Sequence, residues 1–192
     1  MNPLEAAGAA LGLLNLWLTR QQNILCWPVG IACVLLYAFV FFEARLYSDT
    51  LLQLVYVAVQ AYGWRLWARG RHHALISDSP ITRLDRRAWF AWLATAALGA
   101  LSLGGLMGAT TDADRPFFDA TATSLSMVAQ YLQARKVLDA WWLFIAGNAL
   151  FIVLYVQKGL HLTVVLYGVS TVLAVMGWLA WRSSAAASAV RM

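Results

Sequence analysis

Neutral polar and aromatic side chains recur at helical spacing in this sequence, and together they could hold a small polar compound with a flat ring. Residues at i, i+3 and i+7 share one face of a helix. Amide side chains donate and accept hydrogen bonds, which suits hydroxyl and carboxamide groups, whereas aromatic faces suit flat rings and delocalised cations. Three predicted helices carry such stripes: Gln53, Tyr56, Gln60 and Trp64; Thr123, Ser126, Gln130 and Gln133; and Trp141, Phe144, Asn148 and Tyr155.

The three stripes predict a binding site, because a polar ligand needs amides and aromatic rings that converge from separate helices. Two other interpretations stay open for single residues. Amides also join membrane helices to one another, and Trp141 could belong to the aromatic belt at a membrane surface. The predicted substrate-binding residues are Gln53, Tyr56, Gln60, Trp64, Gln130, Trp141, Phe144, Asn148 and Tyr167.

The elements that must position these residues are transmembrane helices. The chain is 61% hydrophobic and only 12% charged, against about 25% charged in an average soluble domain. Charge-free runs of about 20 residues can cross a hydrocarbon core of about 30 Å. The predicted helices are 4–18, 24–42, 48–67, 88–107, 118–132, 141–155 and 160–181. The fold class is therefore an all-α integral membrane protein with seven transmembrane helices.

The first run competes with a secretory signal peptide, which needs positive charge before its apolar stretch. Here Glu5 precedes the run and Arg20 follows it, so a membrane span is expected. Assigning loops alternately to two sides places most basic residues on one side, which the positive-inside rule makes cytoplasmic. That side holds Arg20, Arg65, Arg69, Arg71, Arg83, Arg86, Arg87, Arg135, Lys136, Arg182 and Arg191, and the other holds Arg45, Arg115 and Lys158. At the inner membrane, the amino terminus then lies on the external side and the carboxyl terminus on the cytoplasmic side. The same rule explains the basic loop, so no nucleic-acid partner is expected.

An internal repeat relates the two ends of the chain at a constant shift of 114 residues. It pairs Trp27 with Trp141, Ile31 with Ile145, Leu36 with Leu150, Leu46 with Leu160, Leu52 with Leu166, Gly63 with Gly177, Trp64 with Trp178 and Trp67 with Trp181. Four spans separate equivalent helices, so both triplets face the same way, as in SWEET-type carriers. The predicted plan is a first three-helix repeat in 1–67, a basic loop and connector helix in 68–117, a second repeat in 118–182 and a disordered Ala-rich tail in 183–192.

The helix interiors contain no Lys, Arg, Asp or Glu, and Asp49 and Asp119 stand at predicted helix starts. Proton-driven carriers usually keep an ionisable group inside the membrane, so facilitated diffusion is favoured, although backbone carbonyls could still bind sodium. His72, His73 and His161 have no Cys or carboxylate at ligand spacing. With no phosphate-binding loop either, we expect no catalytic residue, metal or cofactor.

Motifs in both halves point to one family. Residues 45–53 read RLYSDTLLQ, residues 61–67 read AYGWRLW, and Arg135-Lys136 is followed by Trp141, Phe144 and Asn148. Over 12–181 the chain resembles the PnuC family of nicotinamide riboside transporters. The resemblance implies seven helices in a three-plus-one-plus-three plan, homotrimers, and facilitated diffusion of nicotinamide riboside that a cytoplasmic kinase makes one-way. It also implies that the helix-six residues and the helix-three glutamines face the ligand.

Phe144 departs from the family, which usually has Trp at this position, and the smaller ring could mark a carrier of thiamine or riboflavin instead. A retinal photoreceptor would also have seven helices, but Lys136 and Lys158 lie in predicted loops, where neither can form the Schiff base. A membrane enzyme or assembly factor is the remaining alternative, and the helices offer no buried acid, base or metal cluster for it.

Overall fold

The protein is almost entirely helical. The structure is a computed structural model and describes residues 3–43, 47–72, 81–110, 115–157, 159 and 161–190. Within these residues there is no β-strand, and Thr82 and Val137 form an isolated parallel bridge. The described helices are α1 Pro3–Arg20, α2 Cys26–Glu43, α3 Tyr47–His72, α4 Arg86–Thr110, α5 Pro116–Ala134, α6 Ala140–Gln157 and α7 His161–Val190.

The described residues thus confirm the seven predicted helices, and the main difference is at the end of the chain. Helix α7 continues to Val190, so the disordered tail expected from Ser183 is helical instead as far as Val190. Alanine is the strongest helix former, and three alanines follow Ser184. The Ser183 and Ser184 hydroxyls also donate back to the Ala180 carbonyl, at 2.8 and 3.1 Å, which leaves the helix uninterrupted. Arg45, Leu46, Lys158, Leu160 and His73 lie outside the described residues.

Several helices have the character of membrane spans. Three described segments are long and apolar enough to cross a bilayer by length and composition: Arg86–Thr110, Ala140–Gln157 and Thr163–Ala187. The apolar part of α2, Cys26–Val40, is shorter. Large apolar side chains point outward along these helices, with Phe90 74% and Leu98 65% exposed. Soluble proteins rarely expose so much apolar surface to water, so the chain is a multi-pass membrane protein.

The chain divides into two compact units, Met1–Pro80 and Ile81–Met192. In the first unit, α2 packs against both α1 and α3. In the second unit, α5 packs against α4 and α6, and α6 packs against α7. The predicted connector helix α4 therefore belongs by its contacts to the second unit. Its small residues allow the close approach, since Gly104 leaves room for the Phe117 ring and Gly99 lies beside Ser124.

A pair of tryptophans forms the centre of the first unit. Trp27 is 2% exposed, and its ring meets that of Trp67 with centroids 5.3 Å apart and planes at 84°. A β-carbon added at Gly63 would overlap the Trp27 ring. Gly63 thus provides the space in which α3 receives the largest side chain of α2.

The second unit is built around an equivalent contact. Trp141 is fully buried, and its ring meets that of Trp181 with centroids 5.4 Å apart and planes at 89°. A β-carbon at Gly177 would overlap the Trp141 ring. The residues that the sequence repeat pairs therefore make the same contact in each unit.

The segment that precedes α4 is fixed to the loop between α5 and α6. The Thr82 amide donates to the Lys136 carbonyl at 3.1 Å, and the Leu138 amide donates to the Thr82 carbonyl at 2.9 Å. The Leu84 amide donates to Asp139 Oδ2 at 2.7 Å. Lys136 turns the loop with a φ of 54°. This attachment holds the start of α4 against the second unit's core, which comprises Ala96, Val128, Ala129, Leu132, Val137, Ala140 and Leu143.

Candidate functional site

The first unit contains a buried amide on α3. Gln60 is 5% exposed, and no hydrogen bond joins its side chain to another described residue. Its amide lies over Gly30 of α2, where an added β-carbon would overlap it. Buried polar groups are nearly always hydrogen-bonded, so this amide is a candidate ligand contact, and the indole Nε1 of Trp27 is likewise buried with no partner among the described residues.

The other predicted residues of α3 are less buried. Gln53 and Tyr56 are half-buried and share a helix face with Gln60. Trp64 is 43% exposed. The structure therefore places Gln53, Tyr56 and Gln60 together along α3, and it leaves Trp64 at the surface of the first unit.

The second unit contains a matching buried amide on α6. Asn148 is 8% exposed, and its side chain forms no hydrogen bond with another described residue. Gln130 of α5 is half-buried. By contrast, the hydroxyl of Ser126 in the same stripe already donates to the Ala122 carbonyl at 2.9 Å. Two buried amides of the stripes in this unit are thus available to a ligand: Gln133, which is 5% exposed and whose buried Nε2 has no partner within the described residues, and Asn148.

Trp141 and Phe144 lie close together on α6, with ring centroids 6.3 Å apart. Trp141 has no exposed surface because Trp181 and Gly177 enclose it. Phe144 is half-buried and packs against the core of the second unit. Trp141 therefore serves the packing of α6 against α7, and its contact with a ligand stays a prediction.

Tyr167 joins an aromatic cluster between α6 and α7. Its ring lies 4.9 Å from that of Phe151 and 5.4 Å from that of Tyr155. Phe151 and Tyr155 stack on each other at 6.0 Å. The structure thus brings Tyr167 and Tyr155 together, and it adds Phe151, which the sequence stripes missed although it lies one turn before Tyr155.

Asn15 of α1 was also missed. Its Nδ2 donates to the Cys26 carbonyl at 2.6 Å, and its amide lies next to Gly30 and Gln60. The signal in the sequence was weak, because Asn15 is a single amide in an apolar helix. No residue at i+3 or i+7 from it belongs to one of the three stripes.

Other types of site find no support within the described residues. No group of three or more His, Cys, Asp or Glu side chains could hold a metal ion there. A cleft of about 390 Å³ lies between α4 and α5, but it is lined mainly by alanine, leucine and phenylalanine side chains. It contains none of the predicted site residues.

Apolar helices with outward-facing hydrophobic residues, two units with the same tryptophan contact, and buried amides without partners define a multi-pass membrane carrier. Comparison with known sequences gives the family. A profile of the nicotinamide mononucleotide transporter family matches residues 2–183, and the chain belongs to this family. The prediction of a PnuC-type transporter is confirmed, and the chain is a transporter and not an enzyme.

Individual relatives agree with this assignment. The nicotinamide riboside transporter PnuC of Escherichia coli is 27% identical over 205 residues, covering 95% of this chain and 86% of that protein. The riboflavin/roseoflavin transporter RibM of Streptomyces davaonensis is 30% identical over 144 residues, covering 73% of this chain and 67% of that protein. A crystal structure of the vitamin B3 transporter PnuC superposes with a TM-score of 0.76 at 24% identity, over 96% of this chain and 83% of that one. The last similarity confirms the fold.

Proposed function

We propose that this protein takes up nicotinamide riboside by facilitated diffusion across the cytoplasmic membrane. The observation that carries the proposal is the pair of buried amides, Gln60 and Asn148, that have no hydrogen-bond partner within the described residues. An amide that is nearly enclosed and forms no hydrogen bond within the protein remains available to donate to and accept from a polar solute. Hydroxyl and carboxamide groups of a solute would hydrogen-bond with either amide, and relatives from Escherichia coli and Neisseria mucosa are named nicotinamide riboside transporters.

The proposed substrate contacts are the predicted set, with distinct roles for amides and rings. Gln60 and Asn148 would bind the hydroxyl or carboxamide groups, and Phe144 would stack on the pyridinium ring, since aromatic faces attract delocalised cations. The remaining proposed contacts are Gln53, Tyr56, Trp64, Gln130, Trp141 and Tyr167.

The wider arrangement follows from the family and from the charge pattern. All seven helices would cross the membrane in a three-plus-one-plus-three plan, with the carboxyl terminus in the cytoplasm. The same tryptophan–glycine contact in each unit supports the two parallel triplets. A homotrimer in the bilayer and a cytoplasmic kinase that phosphorylates the entering nucleoside complete the proposal, because phosphorylation would prevent the substrate from returning.

Binding measurements test the substrate. Purified protein is titrated calorimetrically with nicotinamide riboside, thiamine and riboflavin in parallel. We expect saturable binding of nicotinamide riboside, and a loss of at least about tenfold in affinity for Asn148→Ala, the range expected when a hydrogen bond to a buried partner is removed. Absence of binding in the folded wild-type protein would reject this substrate.

Riboflavin is the second candidate. Two observations favour it: the 30% identity to RibM, and Phe144, a smaller ring than the tryptophan that the family usually has there. A wild-type protein that binds riboflavin and not nicotinamide riboside would establish this alternative.

A further inference from the structure

Helices α1, α2 and α3 of the first unit approach one another at Gly30, which has no side chain. A β-carbon at Gly30 would overlap Gln60 Nε2 of α3 and would lie 2.7 Å from Asn15 Nδ2 of α1. Both amide groups therefore lie against the same point of α2, and they can do so because residue 30 has no side chain.

Asn15 and Gln60 differ in how they are held. Asn15 is oriented by the 2.6 Å hydrogen bond from its Nδ2 to the Cys26 carbonyl. Gln60 forms no hydrogen bond with a described residue, so packing against Asn15 and Gly30 fixes its position. A 5% exposed amide thus keeps its full capacity to donate and accept hydrogen bonds.

The internal repeat shows that the second unit has changed this position. At a shift of 114 residues, Asn15, Gly30 and Gln60 correspond to Ala129, Phe144 and Ala174. Both alanines are fully buried, and Phe144 packs against the cluster that contains Ala129. One unit therefore has two amides beside a glycine, and the other has two alanines and a phenylalanine at the equivalent positions.

The change is selective, because the scaffold around it is kept. The tryptophan pairs and the glycines beneath them are the same in both units, with ring distances of 5.3 and 5.4 Å. Packing alone would allow the same three residues in both units. The replacement of asparagine, glycine and glutamine by alanine, phenylalanine and alanine instead indicates that the two units differ in the chemical groups that they can bind.

We propose that Asn15 and Gln60, lying on Gly30, form the polar recognition element of the carrier and bind a neutral oxygen acceptor of the solute, such as a carboxamide carbonyl or a sugar hydroxyl. Gln60 contacts the solute, Asn15 positions Gln60, and Gly30 leaves the space that both amides need. This inference rests on the proposed transport function and extends it to Asn15 and Gly30.

Gly30→Ala is the most direct test. The three atoms nearest to the new methyl group belong to the ends of the Gln60 and Asn15 side chains, which can move aside, so the fold should survive while the recognition element is lost. Gly12→Ala on α1 is the matched control, since its β-carbon would lie 3.8 Å from Cys33 Sγ, an ordinary contact. We expect Gly30→Ala to bind nicotinamide riboside about tenfold more weakly at a nearly unchanged melting temperature, and Gly12→Ala to match wild type.

Two further variants separate the role of Asn15 from that of Gln60. Gln60→Leu removes an unused buried amide, so it should melt at least as high as wild type without ligand while losing affinity. Asn15→Ala should weaken binding in the wild-type background and have little additional effect in Gln60→Leu. The same Asn15→Ala change should add fully to Asn148→Ala, which lies in the other unit.

The outcomes distinguish this inference from the proposed function. If wild type binds a vitamin and Gly30→Ala and Gln60→Leu bind it equally well, the recognition element is wrong and the transport function stands. If wild type binds none of the three vitamins, the proposed function is wrong. The inference is then tested by comparing the melting temperatures of wild type and Gln60→Leu without ligand. A Gln60→Leu protein that melts far below wild type would then overturn it, because the amide would have a structural partner.

Discussion

Trp141 and Trp181 meet at right angles in the second unit, with ring centroids 5.4 Å apart and planes at 89°. Trp27 and Trp67 make the same contact in the first unit at 5.3 Å and 84°. Edge-to-face geometry is the favourable arrangement for aromatic pairs. Each pair is separated from its counterpart by 114 residues. The sequence repeat therefore corresponds to the same tryptophan contact made twice, and not to shared hydrophobicity alone.

The glycine beneath each tryptophan should therefore be intolerant of a side chain. We expect Gly177→Ala and Gly63→Ala each to lower stability by about 1–3 kcal/mol, since the methyl group would overlap the buried ring of Trp141 or Trp27. Thermal melting of the purified protein measures the effect. Gly168→Ala is the control, because its β-carbon would meet nothing within 4 Å. Equal melting of all three variants would contradict the packing role.

The sequence predicted the helices well because their signal is local. Long charge-free runs fixed α4 and α6 to within a few residues. The end of α7 was missed because an Ala-rich chain end was expected to be disordered, whereas alanine propensity extends the helix through Ser183 and beyond.

The site was less predictable because burial is a property of tertiary packing. Gln60 and Asn148 were identified from helical spacing, and the structure shows both as buried amides. Trp141 was also identified, yet its ring is enclosed by neighbours. Asn15 and Gly30 had no pattern of their own, since only the meeting of α1, α2 and α3 gives them a shared environment.

The attachment of residues 81–85 to the α5–α6 loop should depend on Asp139. Its carboxylate accepts a 2.7 Å hydrogen bond from the Leu84 amide, and hydrogen bonds to charged groups contribute about 1.5–3 kcal/mol. We expect Asp139→Ala to accelerate trypsin cleavage at the exposed Arg83 by about tenfold. Asp139→Asn keeps an acceptor oxygen and should be cleaved nearly as slowly as wild type. Equal cleavage of the alanine and asparagine variants would refute this attachment.

Helix α4 should depend on its amino-terminal cap. Asp85 Oδ1 accepts a 2.7 Å hydrogen bond from the Ala88 amide, the position that a capping side chain occupies. Asp85→Ala should therefore destabilise the protein by about 1 kcal/mol, measured as a lower melting temperature, whereas Asp85→Ser should largely restore it. A serine variant that melts as low as the alanine variant would show that the cap is not the cause.

Transport should equilibrate the substrate without accumulating it. In the predicted spans, Lys, Arg, Asp and Glu occur only near the ends, as with Asp49 and Arg65, so the middle of each span offers no charged group to couple solute movement to protons. In sealed proteoliposomes without kinase, we expect labelled nicotinamide riboside to reach equal concentrations on both sides, and a proton gradient of either sign to leave the end point unchanged. Accumulation above the external concentration would disprove facilitated diffusion. Adding a nucleoside kinase and ATP inside the vesicles should then raise the internal label.

Phe144 should decide between the two candidate vitamins. It is half-buried beside Trp141, with ring centroids 6.3 Å apart, and at the equivalent position the first unit has only Gly30. Phe144→Trp enlarges the stacking face, and aromatic contacts contribute about 0.5–1.5 kcal/mol, so we expect nicotinamide riboside to bind about threefold more tightly. Riboflavin has a larger ring system and should lose affinity, because the larger side chain narrows the pocket. Phe144→Leu should weaken both ligands, since it removes the ring and retains much of the volume. Trp142→Phe is the control, because Trp142 is 47% exposed and contacts Trp178 instead. Unchanged affinities for both vitamins in Phe144→Trp would place this ring outside the binding site.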